Sequence, residues 1–234
     1  VLNTCGFIES AKEESIEAIF DMAQYKKGGK LQKLFVTGCL AQRYPDALLS
    51  EIPEIDGNMG VRDYARLSEM LSEANAGERP CYIANGARFL HTPRVLTTPG
   101  YSAYVKISDG CDNRCTYCAI PLIRGNYRSR PMEDVMSEVR RFAAQGVKEH
   151  IMIAQDTTRY GTAWQEKSLL PELMAQAAEV PGVEWLRVLY AYPDEADDRL
   201  LEVMAAHPNI CKYLDLPIQH INDDILRRMH RRGT

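Results

Sequence analysis

Gly110-Cys111-Asp112-Asn113-Arg114-Cys115-Thr116-Tyr117-Cys118-Ala119-Ile120-Pro121 sets three cysteines in a C-x3-C-x2-C run. Thiols packed this closely suit a soft metal centre, and cysteine thiolates are the usual anchors of iron–sulfur clusters. Three local ligands leave one iron of a cube-shaped cluster without a protein partner, and an open position is what a catalytic metal needs and a structural one avoids. Structural zinc, a disulfide and buried thiols are the competing readings. Zinc wants four Cys or His ligands, usually as two short pairs, and the chain has no second C-x2-C pair. Seven cysteines, an odd number, and the lack of a secretory signal weigh against disulfides.

Around this run the pattern is regular. Ala103 to Ile107 reads as a strand feeding the cysteine loop. Pro131 opens a helix with Val135, Val139 and Phe142 on one face, and Gly146 closes it. His150 to Ala154, Leu186 to Tyr190 and Tyr213 to Leu216 read as further strands. They alternate with helices near Leu169 to Ala178, Asp194 to Ala206 and Asp223 to Arg228. Strands alternating with helices at this spacing imply a parallel sheet, open or closed into a (β/α) barrel, with ligands at the C-terminal strand ends. The cysteine loop follows the first such strand and is expected at that mouth.

The first part of the chain is also α/β. Ser10-Ala11-Lys12-Glu13 matches a capping box, and Ile16, Ile19, Phe20 and Ala23 share a helix face. Lys27-Gly28-Gly29 stops that helix, and Leu31 to Val36 reads as a strand. A second helix is expected from Arg62 to Ala74 with Leu67, Met70 and Leu71 inward. Residues 92–100, rich in Pro, Thr and Gly, read as a linker between domains at 1–91 and 101–234. Cys5 and Cys39 each follow a strand end, so parallel neighbouring strands would point them at one place. Read alone, two small buried hydrophobes compete with that.

Among the 234 residues, 45% hydrophobic and 26% charged content is ordinary for a soluble globular protein. No run of ~18 apolar residues appears, so no membrane partner is expected. A formal net charge of −4 argues against broad attraction to nucleic acid while allowing a local basic patch. A cytoplasmic location is the default for a thiol-ligated cluster. Val1 is not an initiator, and the chain reads as part of a longer protein.

The cysteine run resembles the cluster loop of radical S-adenosylmethionine (SAM) enzymes, in which SAM ligates the fourth iron. Asn3-Thr4-Cys5-Gly6-Phe7-Ile8-Glu9-Ser10, with Val36-Thr37-Gly38-Cys39-Leu40-Ala41-Gln42, is similar to the N-terminal domain of the methylthiotransferase family. The resemblance runs from Val1 to Thr234. It implies an N-terminal α/β methylthiotransferase domain followed by a partial radical SAM (β/α) barrel, truncated because four βα units are legible and the family has six. It also implies two [4Fe–4S] clusters: one on Cys111, Cys115 and Cys118, and an auxiliary one on Cys5, Cys39 and a ligand upstream of this sequence. Cys81 and Cys211 fit neither cluster.

Two branches of the family differ in substrate. Ala154-Gln155-Asp156-Thr157-Thr158-Arg159-Tyr160-Gly161 and Leu216-Pro217-Ile218-Gln219-His220-Ile221 resemble the branch that modifies an aspartate of ribosomal protein S12. The transfer-RNA branch typically has serine and glycine where His220 and Ile221 stand here. The implied chemistry is hydrogen abstraction from the aspartate β-carbon by a SAM-derived radical, followed by methylthio transfer. The implied partners are the small ribosomal subunit and an electron donor such as flavodoxin or ferredoxin. A transfer-RNA adenosine as target, and a non-enzymatic metal-binding or redox module, stand as alternatives.

Within this frame Tyr117 resembles the residue beside the SAM adenine, against simple loop packing. Gln155, Asp156 and Gln219 sit at strand ends where polar groups bind ribose or the methionine part of SAM, against a turn-capping role for Asp156. Arg187 would meet a carboxylate if it points inward, against an ordinary ion pair. His220 is a candidate beside Gln219, against a structural histidine. Arg124, Arg128 and Arg130 around Tyr127 would grip an acidic substrate loop or ribosomal RNA, against a solvated basic face.

Overall fold

The computed structural model describes residues 1–84 and 94–232. These fall into two compact units: residues 1–84 with 118–125, and residues 94–117 with 126–232. The start of the linker expected at 92–100, and the domain boundary at 91, lie outside the described residues.

In the first unit, β1 (Leu2–Thr4), β2 (Phe35–Gly38), β3 (Gly57–Met59) and β4 (Cys81–Tyr82) form a parallel sheet in that order. Every residue of β2 is buried, as expected of a central parallel strand covered on both faces. Between the strands run α1 (Glu9–Lys27), α2 (Cys39–Arg43), α3 (Pro45–Glu51) and α4 (Leu67–Asn75), and α5 (Ile120–Arg124) also belongs to this unit. Ile19, Ala23, Val36, Leu40, Leu48 and Ile55 make its main core.

Several sequence expectations shift here. The helix start is not a capping box: α1 begins at Glu9, its cap is Ile8, and no side chain bonds the cap position. Ser10 lies inside the first turn, so its hydroxyl is past the position from which a cap bonds. On the α1 face Ile19 and Ala23 are buried, whereas Ile16 and Phe20 line an exposed apolar groove with Tyr44 and Leu48. In α4, Met70 is fully buried but Leu71 is 40% exposed, and the helix starts at Leu67 after a 3-10 turn over Tyr64–Arg66. The strand expected from Leu31 begins only at Phe35.

In the second unit, β5 (Ser102–Lys106) pairs parallel with β8 (Glu149–Ile153), and β8 with β9 (Trp185–Val188). A separate antiparallel pair joins β6 (Ser108–Asp109) to β7 (Arg128–Ser129). Helices α6 (Met132–Ala144), α7 (Leu170–Ala178) and α8 (Asp198–Ala206) pack on the parallel sheet, and α9 (Asp223–Arg228) follows. Val135, Val139 and Phe142 of α6 are buried on one face, as their spacing requires, against Val105, Met152 and Leu186. Helix α8 starts four residues later than its sequence pattern because Asp197 caps it, its carboxylate accepting from the Leu200 N–H at 3.0 Å.

A fourth strand over Tyr213 to Leu216 does not form. Beyond β9 the chain makes one parallel bridge, Leu186 to Ile210, and then one more backbone bond from Ala191 N–H to Asp215 O at 3.0 Å. The cause lies in the neighbour. Tyr190 adopts φ 62°, which ends the extended run of β9 and withdraws the partner that a fourth strand would need.

His150 on β8 is fully buried, and desolvation pushes its imidazole below the ordinary value. The folded state therefore favours the neutral ring. The stability this provides is complete above about pH 6.5 and is lost as pH falls below it, because the unfolded chain binds the proton first. Urea unfolding between pH 8 and pH 5 should show a falling midpoint, and His150→Leu should flatten that dependence. An unchanged slope in the variant would remove His150 as its source.

Candidate functional site

The cysteine loop is held at both ends by backbone pairing and along its length by side chains. β6 and β7 pair Ser108 with Ser129 and Asp109 with Arg128, so the chain enters and leaves the loop side by side. Gly110 turns it with φ 80°, and Arg114 sits at φ 50°. Just beyond β8, Gln155 Oε1 accepts from the Gly110 N–H at 2.9 Å. Next to it Asp156, 1% exposed, accepts from Asn113 Nδ2 at 3.1 Å through Oδ2 and from the Thr158 hydroxyl at 2.6 Å through Oδ1. Thr158 in turn accepts from the Tyr192 N–H at 3.1 Å. Within the loop, Asp112 Oδ1 accepts from the Tyr127 N–H at 3.1 Å.

Gln155 and Asp156 thus grip the residues flanking Cys111. For Asp156 both oxygens are engaged, which is closer to the turn-capping reading than to free ribose-binding groups. Asn113, Thr158 and Asp112 were not singled out from the sequence; short polar residues among cysteines in a loop were the available signal.

Cys111, Cys115 and Cys118 are of intermediate exposure and are not joined in disulfides. Cys118 opens the short segment counted with the first unit. Tyr117 is 50% exposed, and its hydroxyl is pushed up to about 12 by partial burial and then by the neighbouring Cys115 thiol. Among the described residues, no three His, Cys, Asp or Glu side chains are gathered closely enough to hold a metal ion by themselves.

In the first unit the register pairs Thr4 with Gly38, so Cys5 and Cys39 leave adjacent parallel strands at the same level. Two glycines make that approach possible. A Cβ on Gly38, at φ 103°, would lie 2.3 Å from Thr4 O, and one on Gly6 would lie 2.8 Å from the backbone of Leu40. Ser15 Oγ accepts from the Cys5 N–H at 3.0 Å, and Arg43 Nη1 donates to Gly6 O at 2.9 Å, fixing the turn. Cys5 is exposed and Cys39 half-buried. Cys81 lies on β4 and Cys211 beside the Ile210 bridge, away from both pairs of strand ends in sequence.

The remaining candidates divide. Arg187 donates through Nε and Nη2 to Glu149 Oε1, each at 3.1 Å, which is the ordinary ion pair. Arg130 is buried and internal, bonded to Glu138, to Lys106 O at 3.1 Å and to Asp134 O at 3.1 Å, so it is no part of a basic surface. Arg128 belongs to β7 and Arg124 ends α5. Gln219 is exposed at φ 63°, and His220 Nδ1 accepts from the Asn222 N–H at 2.9 Å, a structural use of the ring. Asn222 itself caps α9 through the Ile225 N–H.

Removing the Asp156 carboxylate would leave Asn113 and Thr158 facing a buried gap. Asp156→Ala should therefore destabilise the fold by ~1–3 kcal/mol in denaturant unfolding, with loss of amide-exchange protection across 110–118. A variant as stable and as protected as the wild type would deny the latch.

Comparison with known proteins comes to the same loop. Residues 105–234 match the model of the Radical SAM superfamily, and residues 1–60 that of Uncharacterized protein family UPF0004. The ribosomal protein uS12 methylthiotransferase RimO of Desulforamulus reducens is 51% identical over 100% of this chain and 53% of its own length. That of Clostridioides difficile is 46% identical with the same coverage. The chain therefore spans about half the length of these curated relatives. Among solved structures, the radical SAM methyltransferase TsrM of Kitasatospora setae superposes with a TM-score of 0.62 at 16% identity, covering 88% of this chain and 45% of that one. The cobalamin-dependent radical enzyme OxsB gives 0.62 at 14% identity, covering 95% and 36%. At such identities the likeness is one of fold. The family model covers more than half of the sequence and includes all three cysteines of the loop, and the chain belongs to the radical SAM superfamily.

Proposed function

We propose that this chain is the N-terminal and radical-generating part of a methylthiotransferase that adds a methylthio group to the β-carbon of an aspartate in ribosomal protein uS12. The observation that carries the reading is the C-x3-C-x2-C loop at a strand end of a parallel α/β unit, in a chain about half identical to enzymes of that name. The donor set fits the implied group: three partly exposed cysteines outside any disulfide, in an irregular loop whose backbone is fastened from outside at Gly110 and Asn113.

Cys111, Cys115 and Cys118 would hold a [4Fe–4S] cluster, with SAM on the remaining iron. When bound, these supply reductive SAM cleavage and a radical able to abstract hydrogen. The protein's own part is positioning. Gln155 and Asp156 fasten the loop at Gly110 and Asn113, on either side of Cys111. Tyr117, half-exposed beside Cys118, would face the adenine, and Gln219 and the free amide of Gln155 would take polar groups of SAM. Cys5 and Cys39 would supply two thiolates of an auxiliary cluster for sulfur delivery. Arg124 and Arg128 would meet an acidic substrate surface. A low-potential one-electron donor of the flavodoxin or ferredoxin class would complete the cycle, in the cytoplasm.

Replacing Cys111, Cys115 or Cys118 with Ala should reduce formation of 5′-deoxyadenosine to background and lower bound iron, whereas Cys211→Ala should change neither. Continued 5′-deoxyadenosine formation in the loop variants would refute the ligand assignment. Mass spectrometry of ribosomal protein uS12 from cells with and without the gene should show one methylthio group on an aspartate only when the gene is present. An unmodified uS12 accompanied by a gene-dependent change on a transfer-RNA adenosine would move the substrate to the other branch.

A further inference from the structure

The segment after α9 is fastened onto the cysteine loop. The Thr116 N–H donates to Met229 O at 3.2 Å and its hydroxyl reaches Arg228 O at 3.4 Å, while His230 Nδ1 meets Arg114 O at 3.0 Å. These contacts lie on either side of Cys115. The helix ends in a Schellman turn, with His230 N–H bonded to Arg227 O at 3.0 Å and Arg231 N–H to Leu226 O at 2.9 Å. Such a turn needs a left-handed residue, usually glycine, and here His230 takes φ 56° at a conformational cost. The cost brings two things: the His230 ring reaches the loop backbone, and the chain reverses so that Arg231 points back at the cysteines.

Arg231 Nη1 then lies 3.9 Å from Cys115 Sγ, within reach of an N–H···S bond. The guanidinium is held from two other directions. Nη2 donates to Pro217 O at 2.6 Å, and the group lies 4.0 Å from the centre of the Tyr192 ring. A fixed, always charged fork aimed at one thiol has no need of this geometry merely to be solvated.

We propose that Arg231 is a positioning residue for Cys115 and that, with a cluster on the triplet, its N–H donates to the Cys115 sulfur and raises the reduction potential of the centre. The inference rests on the reading of Cys111, Cys115 and Cys118 as cluster ligands. Reduction takes one electron from a low-potential donor and adds one negative charge to the cluster and its sulfurs. A cation and hydrogen-bond donor at one sulfur stabilises the reduced form more than the oxidised one.

The test compares wild-type, Arg231→Ala and Arg231→Lys proteins after anaerobic reconstitution. Iron, sulfide and visible absorption report whether a cluster is held, and an EPR-monitored redox titration reports its midpoint. The Ala variant should hold a cluster whose reduced-to-oxidised ratio at a given solution potential falls about tenfold, or ~59 mV for a one-electron couple. Lys, which keeps the charge and loses the fork, should fall between. A wild-type protein that takes up no cluster would overturn the cluster reading and this inference with it. A loaded Arg231→Ala protein with the wild-type midpoint would overturn this inference alone. Should the Ala variant fail to load, the Lys variant decides in the same way: a negative shift supports the inference, and an unchanged midpoint ends it.

Discussion

The buried carboxylate of Asp156 is the interaction on which the cysteine loop depends. A loop that must leave three thiols partly exposed cannot satisfy its own backbone in a helix or a sheet, and it has no apolar core to collapse upon. Its conformation must come from outside. Asp156 supplies that from the end of β8, binding Asn113 inside the loop and Thr158 on its own strand end, while Gln155 takes the Gly110 N–H. A desolvated carboxylate is costly unless both oxygens are satisfied, and here they are. The same cost makes the arrangement specific, since any shift of Asn113 leaves a buried carboxylate oxygen short of a donor.

A different constraint governs the first unit, where the limiting quantity is backbone clearance. The parallel register of β1 and β2 brings Cys5 and Cys39 to one level, but only because neither Gly38 nor Gly6 carries a Cβ. In one unit polar side chains position the thiols, and in the other the absence of side chains does. Each solution suits its place: irregular backbone needs bonds, and close-packed strand ends need room.

What could be read in the sequence follows from how local the cause is. Helix α6 was legible because Val135, Val139 and Phe142 repeat on one face, and α9 was legible from Asp223 to Arg228. The short helices α2 and α3, and the strands β3 and β4, carry too few residues for a period to emerge. Ser10 had the right spacing for a capping box but sits inside the helix, so the pattern alone misled. The strand expected at Tyr213 failed for a reason outside its own sequence, the turn at Tyr190 on its neighbour. Arg130 read as part of a basic surface because the sequence carries no mark of Glu138, eight residues on, as its buried partner. The cysteine triplet was fully legible, its fastening was not.

The most distant of those fastenings sets how the site can assemble. Residues 114–116 are bonded to residues 228–231 across more than a hundred positions of chain. Closing a loop of that length costs configurational entropy that grows only slowly with length, but it must be paid before the contacts form. Helix α6 and the two βα repeats between them, β8 with α7 and β9 with α8, pack with β5 into one core that does not include the loop. With β5, β8 and β9 aligned, Gln155 and Asp156 stand beside Gly110 and Asn113, and the turn at His230 meets Arg114 O. The loop is therefore restrained twice, by Gln155 and Asp156 just beyond β8 and by the chain that follows α9.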